Sequence, residues 1–374
     1  MKDQLGIIVT IAILVVLFIN IGFFIPKPKP KPIIINNNQL RQEALMHGLK
    51  PVPKTWAKAK RLVKDISDPL STNKIKLGRL LFFDPILSKD KTISCATCHI
   101  LTKGGADNRP TAIGYHGRHN PLHLNTPTAI NAALEKMLLW DGKSPNVQDQ
   151  AKGPLRAPFE MNMTPKEIVK RLKKEPFYVK AFKLAFKSHK ITFINVANAI
   201  GAYERTLLSR GSFDRFLDGN NTAISNKAKR GLFLFMRLGC KSCHTGISIG
   251  GQSMQRFPLK RYDGFIVPKS VFINGMPVFS KFEFHSPRFK DSPFPFPDTG
   301  GFHGRNNQFQ FKVPTLRNVA RTAPYFHNGT VKKLKEAVKI MARHQLGIVL
   351  TKKQIGQIVA FLKTLSGNPV NYKY

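Results

Sequence analysis

The four cysteines of this 374-residue chain lie in two copies of one short motif. Cys95-Ala-Thr-Cys98-His99 and Cys240-Lys-Ser-Cys243-His244 both read C-x-x-C-H, the pattern of c-type haem attachment. Two thiols three positions apart on a helical turn can each add to one vinyl group of a haem, and the histidine that follows supplies an imidazole to the iron. We therefore predict two covalently bound c-type haems, one at each motif.

Two other uses of a C-x-x-C pair explain the sequence less well. The four thiols could together hold a zinc ion, or one pair could be a thioredoxin-like redox pair. Neither use requires a histidine directly after both pairs, and both pairs have one. No cysteine is left over for a structural disulfide, which argues against a disulfide-stabilised secreted scaffold.

The chain is strongly basic. It has 60 Lys and Arg residues against 21 Asp and Glu, a formal net charge of +39. These cations are dispersed from Lys27 to Lys373, and no helix-turn-helix, zinc-finger or RNA-binding signature accompanies them. We therefore predict no nucleic-acid partner, but a basic surface that steers an acidic redox partner or lies near anionic lipid.

The N-terminus carries an apolar segment long enough to cross a bilayer. Leu5 to Ile25 is an almost unbroken apolar run, whereas a cleavable signal has a shorter apolar region and a small-residue cleavage site. We predict that residues 1–26 are an anchor or signal, more consistent with an uncleaved inner-membrane anchor. Residues 27–44 would form a Lys/Pro-rich spacer, and the remainder would lie in the periplasm.

The rest of the chain is predicted to be mainly α-helical. Similar apolar segments precede the two haem motifs, at Gly78–Phe83 and Gly231–Met236, which indicates one cytochrome c-like helical domain per haem. We place these domains at residues 45–207 and 208–374. Helical periodicity is clear in four segments, at Ile168–Leu172, Val196–Leu207, Val331–Met341 and Ile355–Leu365. Residues 258–310 lack periodicity and are expected to form long loops over the second haem.

From about Pro69 to Leu365 the chain resembles the bacterial di-haem cytochrome c peroxidases and their relative MauG, which matures a tryptophan-derived cofactor. The likeness extends beyond the haem motifs to several ordered segments. In chain order these are Leu77–Pro85, Leu139–Gly142, Gln150–Pro154, Phe159–Met161, Tyr203–Thr206, Ala228–Gly231, Phe311–Asn318 and Ala323–His327.

The resemblance implies different roles for the two haems. The haem at Cys95, Cys98 and His99 would be the peroxidatic one, and the haem at Cys240, Cys243 and His244 would receive electrons from the donor. Trp140 would lie between the haems, and Glu160 and Gln150 would lie over the N-terminal haem. Peroxide cleavage needs a proton moved from one oxygen to the other, which a carboxyl group over the iron can do. Without the resemblance, a surface glutamate and a core tryptophan would be the simpler interpretations of Glu160 and Trp140.

The axial ligands distinguish members of this family. Val331, Leu334, Val338 and Met341 share one helical face, which by itself predicts only packing. The resemblance makes Met341 the sixth ligand of the C-terminal haem, where a thioether raises the reduction potential. MauG has tyrosine at this position, so Met341 favours a peroxidase.

The resemblance leaves the other ligands less defined. Family peroxidases place a labile histidine in a Gly-His-Gly loop, and this chain has Gly114-Tyr-His116-Gly117, with His119 and His123 following. We favour His116 as the sixth ligand of the N-terminal haem iron. Asn125, Thr322 and Pro324 match positions that hold a calcium ion, largely through oxygens that suit a hard cation.

The combined prediction is a di-haem cytochrome c peroxidase that reduces hydrogen peroxide to water. Its electrons would come from a small cytochrome c or cupredoxin, and the prediction allows a homodimer. The alternatives are a MauG-like oxidase of a protein substrate and a non-catalytic di-haem electron carrier, which would need neither Glu160 nor Gln150.

Overall fold

The computed structural model describes residues 36–259, 269–273, 276–280 and 292–374, and for the two short ranges only the backbone is described. The predicted anchor or signal (1–26) therefore lies outside the described residues. Within the described ranges, every helix is too short or too polar to cross a bilayer.

The described part of the chain is mainly helical, as the sequence predicted. Its α-helices are α1 (Asn37–Met46), α2 (Trp56–Leu62), α3 (Thr72–Phe83), α4 (Cys95–Cys98), α5 (Val147–Arg156), α6 (Pro165–Lys173), α7 (Pro176–Phe186), α8 (Phe193–Glu204), α9 (Ser212–Leu217), α10 (Asn226–Arg237), α11 (Leu334–His344) and α12 (Lys352–Lys363). The four periodic segments of the sequence are confirmed as α6, α8, α11 and α12, with ends that differ by a few residues.

The strands are short and pair in two antiparallel ribbons. They are β1 (Met254–Arg256), β2 (Lys269–Ile273), β3 (Met276–Ser280) and β4 (Gln310–Lys312), paired β1 with β4 and β2 with β3. The expectation that 258–310 consists only of loops is therefore wrong in part, because β2 and β3 lie inside that range. Hairpin pairing spans only a few residues, so it leaves little alternation in the sequence.

Two helix crossings, one in each half of the chain, form the framework around the haem motifs. A Cβ added at Gly78 of α3 would lie 1.8 Å from the carbonyl oxygen of Ala199 in α8. A Cβ at Gly231 of α10 would lie 1.9 Å from the carbonyl oxygen of Gln357 in α12. Only glycine allows backbones to approach this closely. The repeat seen in the sequence is therefore a repeated helix crossing.

The apolar core also has a cluster in each half of the chain. One buried cluster draws its residues from Ile75 to Leu207. A second runs from Phe213 to Leu365 and also contains Leu40 and Ala44 of α1. Residues 37–44 were expected to be an extended spacer, but they are helical and pack against the C-terminal cluster. Contacts join residues 35–374 into one compact unit, so the division at residue 207 remains a prediction.

A second repeat, which the sequence analysis missed, joins the two halves. Residues around Asn125 and Trp140 correspond to residues around Lys312 and His327, each 187 positions later. The Asn125 amide donates to the His327 carbonyl at 2.7 Å, and the Lys312 amide donates to the Trp140 carbonyl at 2.9 Å. Each copy is thus bonded to the other copy by the equivalent backbone group, as in an arrangement with approximate two-fold symmetry.

Buried side chains continue this symmetrical arrangement. Asn131 and Asn318 are also 187 positions apart, and both are fully buried. The amide groups of both side chains donate to the Ser209 hydroxyl, at 2.8 and 2.9 Å. Buried polar side chains that are satisfied in this way fix the register of the elements that carry them.

Candidate functional site

The C-terminal C-x-x-C-H motif opens into a large cavity. Cys240, Cys243, His244 and Met341 line this cavity, whose volume of about 1330 Å³ includes space open to solvent. The helical face predicted from the sequence is confirmed, since Leu334 and Val338 of α11 line the cavity beside Met341. A thioether, an imidazole and two thiols therefore meet in one largely apolar space.

The chemistry of this cavity fits a c-type haem. None of the four cysteines is paired in a disulfide, so all four are available for thioether attachment. Burial lowers the pKa of His244 to about 4, against the backbone oxygens of Ile249 and Pro314, so its imidazole is neutral, the form that binds iron. Apolar walls with a few polar groups are typical of cofactor pockets.

The N-terminal motif has the same local design. Cys95 and Cys98 are the first and last residues of α4, and His99 follows it. The His99 Nδ1 is 3.1 Å from the carbonyl oxygen of Gly105, and burial lowers the pKa of this histidine. A hydrogen bond from Nδ1 to a carbonyl leaves Nε2 free to bind a metal, so this motif also fits a haem.

The structure places Glu160 beside the N-terminal motif. Burial raises the pKa of Glu160 to about 7, a value suited to moving protons near neutral pH. The Glu160 charge also contributes, after burial and Asp107, to raising the pKa of the Cys98 thiol to about 12. Glu160 and Cys98 are therefore electrostatic neighbours, although they lie 62 positions apart in the sequence.

Trp140 precedes α5 in the chain, and Gln150 lies within this helix. Gln150 is a half-buried residue of α5. Trp140 lines the C-terminal cavity, and its Nε1 donates to the Asn125 carbonyl oxygen at 2.9 Å. The indole thus connects the C-terminal cavity with a segment that belongs to the N-terminal half of the chain.

The structure does not bring His116 into a site. Its side chain is 63% exposed, and its Nε2 is 3.7 Å from Asp90 Oδ2. The imidazole stacks on Tyr115 with ring centroids 4.0 Å apart. The loop nevertheless contacts the Glu160 segment, because the Tyr115 amide donates to the Glu160 carbonyl at 2.8 Å.

The three residues predicted to bind calcium lie in two segments that hydrogen bonds connect through Asn108 and Arg109. The Asn125 side-chain amide donates to the Arg109 carbonyl at 2.7 Å. The neighbouring Asn108 donates to the carbonyls of Arg321 and Ala323 at 2.7 and 2.9 Å. These bonds tie the Asn125 region to the segment that contains Thr322 and Pro324.

Sequence reasoning missed two buried side chains beside these sites. Glu204 of α8 is 6% exposed, burial raises its pKa to about 8, and its charge raises the pKa of the Cys95 thiol. His327 is 3% exposed and lines the C-terminal cavity. The repeat at 187 positions could have revealed His327 as the counterpart of Trp140, whereas no local pattern marks Glu204 as buried.

Comparison with known proteins supports this description. Residues 72–222 match the family model described as di-haem cytochrome c peroxidase. Cytochrome c551 peroxidase of Pseudomonas aeruginosa is 38% identical over 332 residues, 87% of this chain and 86% of that protein. Cytochrome c551 peroxidase of Nitrosomonas europaea is 37% identical over 82% of this chain and 83% of its own. Methylamine utilization protein MauG of Methylorubrum extorquens is 31% identical, over 81% of both chains.

Solved structures of di-haem proteins also resemble this chain. A MauG-like protein associated with microbial copper homeostasis is 26% identical and superposes with a TM-score of 0.64, over 82% of this chain and 93% of that chain. The diheme peroxidase BthA of Burkholderia thailandensis shares the fold, with a TM-score of 0.58 at 18% identity over 81% and 88% of the two chains. The chain therefore belongs to the di-haem cytochrome c peroxidase family, and the prediction that it is an enzyme of this family is confirmed.

Proposed function

We propose that this enzyme reduces hydrogen peroxide to water at its N-terminal motif, with electrons that enter at its C-terminal motif from a small cytochrome c or cupredoxin. The observation that carries the proposal is Glu160, a carboxyl group with a pKa raised to about 7 beside Cys98. Its ionised form can accept a proton from one peroxide oxygen and return it to the other, at a pH where both forms are populated.

The other residues of the proposed site would hold the haems, orient the peroxide and connect the two motifs. Haems held by His99 and by His244 with Met341 would supply the iron that reacts with peroxide and the iron that accepts electrons from the donor. Gln150, an amide on α5, would orient peroxide by hydrogen bonds without exchanging protons. Trp140 lies on the route between the two motifs, as its bond to Asn125 and its place in the C-terminal cavity support.

The loop at His116 is proposed as the gate of the peroxide site. Its imidazole would occupy the iron in the resting state and leave when the C-terminal haem is reduced, a redox-gated loop change. Two observations support the open position, namely the neighbouring Asp90 carboxylate and the bond from Tyr115 to the Glu160 carbonyl. His116 has φ 53°, so the loop contains a backbone conformation that non-glycine residues rarely adopt.

Several further parts of the proposal rest on sequence and composition. A calcium ion held by Asn125, Thr322 and Pro324 would stabilise the contact between the two halves. The charge of +39 favours an acidic donor. Periplasmic haem attachment, an inner-membrane anchor at residues 1–26 and a homodimer complete the proposal, and Met341 favours it over MauG-like oxidation of a protein.

One experiment separates this function from its alternatives. The purified holoprotein is reduced by one electron, its haem spin states are recorded, and peroxide is added together with a reduced donor. A high-spin haem and rapid donor oxidation are expected. Two low-spin haems and no donor oxidation would instead identify an electron carrier, and the proposal would be wrong.

A further inference from the structure

His327 is the structural counterpart of Trp140. Both residues follow a residue with a left-handed backbone, Leu139 with φ 67° and Phe326 with φ 68°. Both precede, by two positions, a glycine with positive φ. Their carbonyls accept the reciprocal bonds from Lys312 and Asn125 described above. A non-glycine residue with positive φ is strained, so finding the same strain at both positions indicates one shared backbone design.

The two rings lie together at the C-terminal cavity. Trp140 and His327 both line it, and their ring centroids are 6.4 Å apart with the planes at 75°. If Trp140 lies between the haems, as the proposed function holds, His327 occupies the corresponding position on the other side of the symmetry axis.

Four phenylalanine rings surround the His327 ring. Its ring is 4.7 Å from Phe294 and 4.9 Å from Phe311, measured between centroids, and Phe296 and Phe302 lie within 6.0 Å. Its Nε2 is buried and has no hydrogen-bond partner among the described residues. An unpaired buried polar group is costly, so a partner that the protein chain does not supply is expected there.

Several other donors at this cavity already have partners. The Trp140 Nε1 donates to the Asn125 carbonyl, the Gln345 Nε2 donates to the Arg256 carbonyl, and the Lys312 ammonium pairs with Glu135. Among the described residues, two buried ring nitrogens of this cavity have no hydrogen-bond partner, the His244 Nδ1 and the His327 Nε2. His244 belongs to the haem motif itself, so His327 is the residue outside the motif that has an unpartnered ring nitrogen here.

We propose that His327 is a positioning residue for the haem of the C-terminal cavity, its Nε2–H donating a hydrogen bond to a propionate of that haem. The inference rests on the proposed function in one respect, namely that a haem occupies this cavity. A propionate charge stabilises the oxidised iron, and a hydrogen bond that offsets this charge makes the haem easier to reduce. His327 thereby favours electron entry at this haem.

The test compares two substitutions in the full-length holoprotein. His327→Phe keeps an aromatic ring in the aromatic wall but removes the N–H donor, and His327→Gln restores a side-chain N–H. The midpoint potential of each haem is measured by spectroelectrochemical titration, and haem content is measured by the pyridine haemochrome spectrum. His327→Phe is expected to lower the equilibrium constant for reducing the C-terminal haem about tenfold. His327→Gln should recover most of the loss, and the N-terminal haem should be unaffected.

A second measurement uses the unaltered protein and does not depend on how the variants fold. The propionate-bending band of the C-terminal haem, recorded by resonance Raman spectroscopy, should shift when exchangeable hydrogen is replaced by deuterium. The thioether-to-iron charge-transfer band should persist in both variants, because Met341 and not His327 binds the iron.

Three results would overturn the inference while leaving the proposed function intact. The first is an unchanged midpoint potential of the C-terminal haem in His327→Phe. The second is a propionate band that does not shift in deuterium, and the third is a change of axial ligand when His327 is replaced. A protein that carries no haem at Cys240 and Cys243 would instead overturn the proposed function itself.

Discussion

The two halves of this protein share a framework and differ in the side chains that surround their haem motifs. Each half crosses two helices at a glycine, Gly78 in one and Gly231 in the other. The C-terminal half places Met341 and aromatic rings around its motif. The N-terminal half places carboxyl groups there, Glu160 near Cys98 and Glu204 near Cys95.

One pair of equivalent residues shows this difference directly. Tyr203-Glu204-Arg-Thr-Leu207 of the N-terminal half corresponds to Phe361-Leu362-Lys-Thr-Leu365 of the C-terminal half. The Asn131 amide donates to the Leu207 carbonyl, and the Asn318 amide donates to the Leu365 carbonyl. Glu204 therefore stands where the other half has Leu362, a residue of the cavity wall. One half has ionisable groups suited to proton chemistry, and the other has an apolar wall suited to holding an electron.

The largest effect is expected at Glu160. Glu160→Gln keeps the shape of the side chain but cannot accept a proton, so kcat for peroxide reduction should fall by about 10²–10⁴. Both haem spectra should be unchanged, because Glu160 binds neither iron in the proposed site. Steady-state donor oxidation measures the effect.

Glu336→Gln is the matched control for this substitution. Glu336 is a carboxyl of α11 in the C-terminal half, 52% exposed at its side chain, and its loss should leave kcat unchanged. Equal losses in both variants, or full activity of Glu160→Gln, would contradict the functional contrast between the halves.

The next effect tests the shared framework. Gly78→Ala and Gly231→Ala each place a methyl group within 1.9 Å of a backbone oxygen, so each should lower the free energy of unfolding by about 1–3 kcal/mol or more. Denaturant titration of the holoprotein measures both. Gly356→Ala is the control on the same helix, because its new methyl group would meet only the Lys227 side chain, at 3.8 Å. The free energy of unfolding of this variant should be unchanged or higher by about 1 kcal/mol. A loss in only one of the two halves would show that the crossings are not equivalent.

The pH dependence of stability tests the buried carboxyl that distinguishes the halves. Burial raises the pKa of Glu204 from 4.5 to about 8, so the folded state keeps this proton longer than the unfolded state. Stability is therefore unaffected by Glu204 below about pH 4.5 and falls as pH rises towards 8, by up to about 1.4 kcal/mol per pH unit.

Glu204→Gln should remove this part of the pH dependence, because its amide does not ionise. Unfolding free energies of the holoprotein at pH 5 and pH 8 give the comparison. Identical pH profiles for the two proteins would mean that the folded structure accommodates the Glu204 charge without cost.

Much of the fold and part of the site could be predicted from local sequence. Helical periodicity located α6, α8, α11 and α12, and the apolar face of α11 placed Met341 in the cavity with His244. Periodicity did not reveal α1, since Lys–Pro alternation before it suggested an extended spacer, and its buried residues find their partners far along the chain.

The sequence by itself determined the chemistry of the two motifs, because C-x-x-C-H places two thiols and an imidazole within five consecutive residues. Only the tertiary structure decided which side chains surround them. Glu204 is buried at the end of α8, the helix that crosses α3 at Gly78, and Trp140 meets His327 where the two repeat copies exchange backbone bonds. Such contacts depend on how distant segments pack, and no local pattern of residue types records that packing.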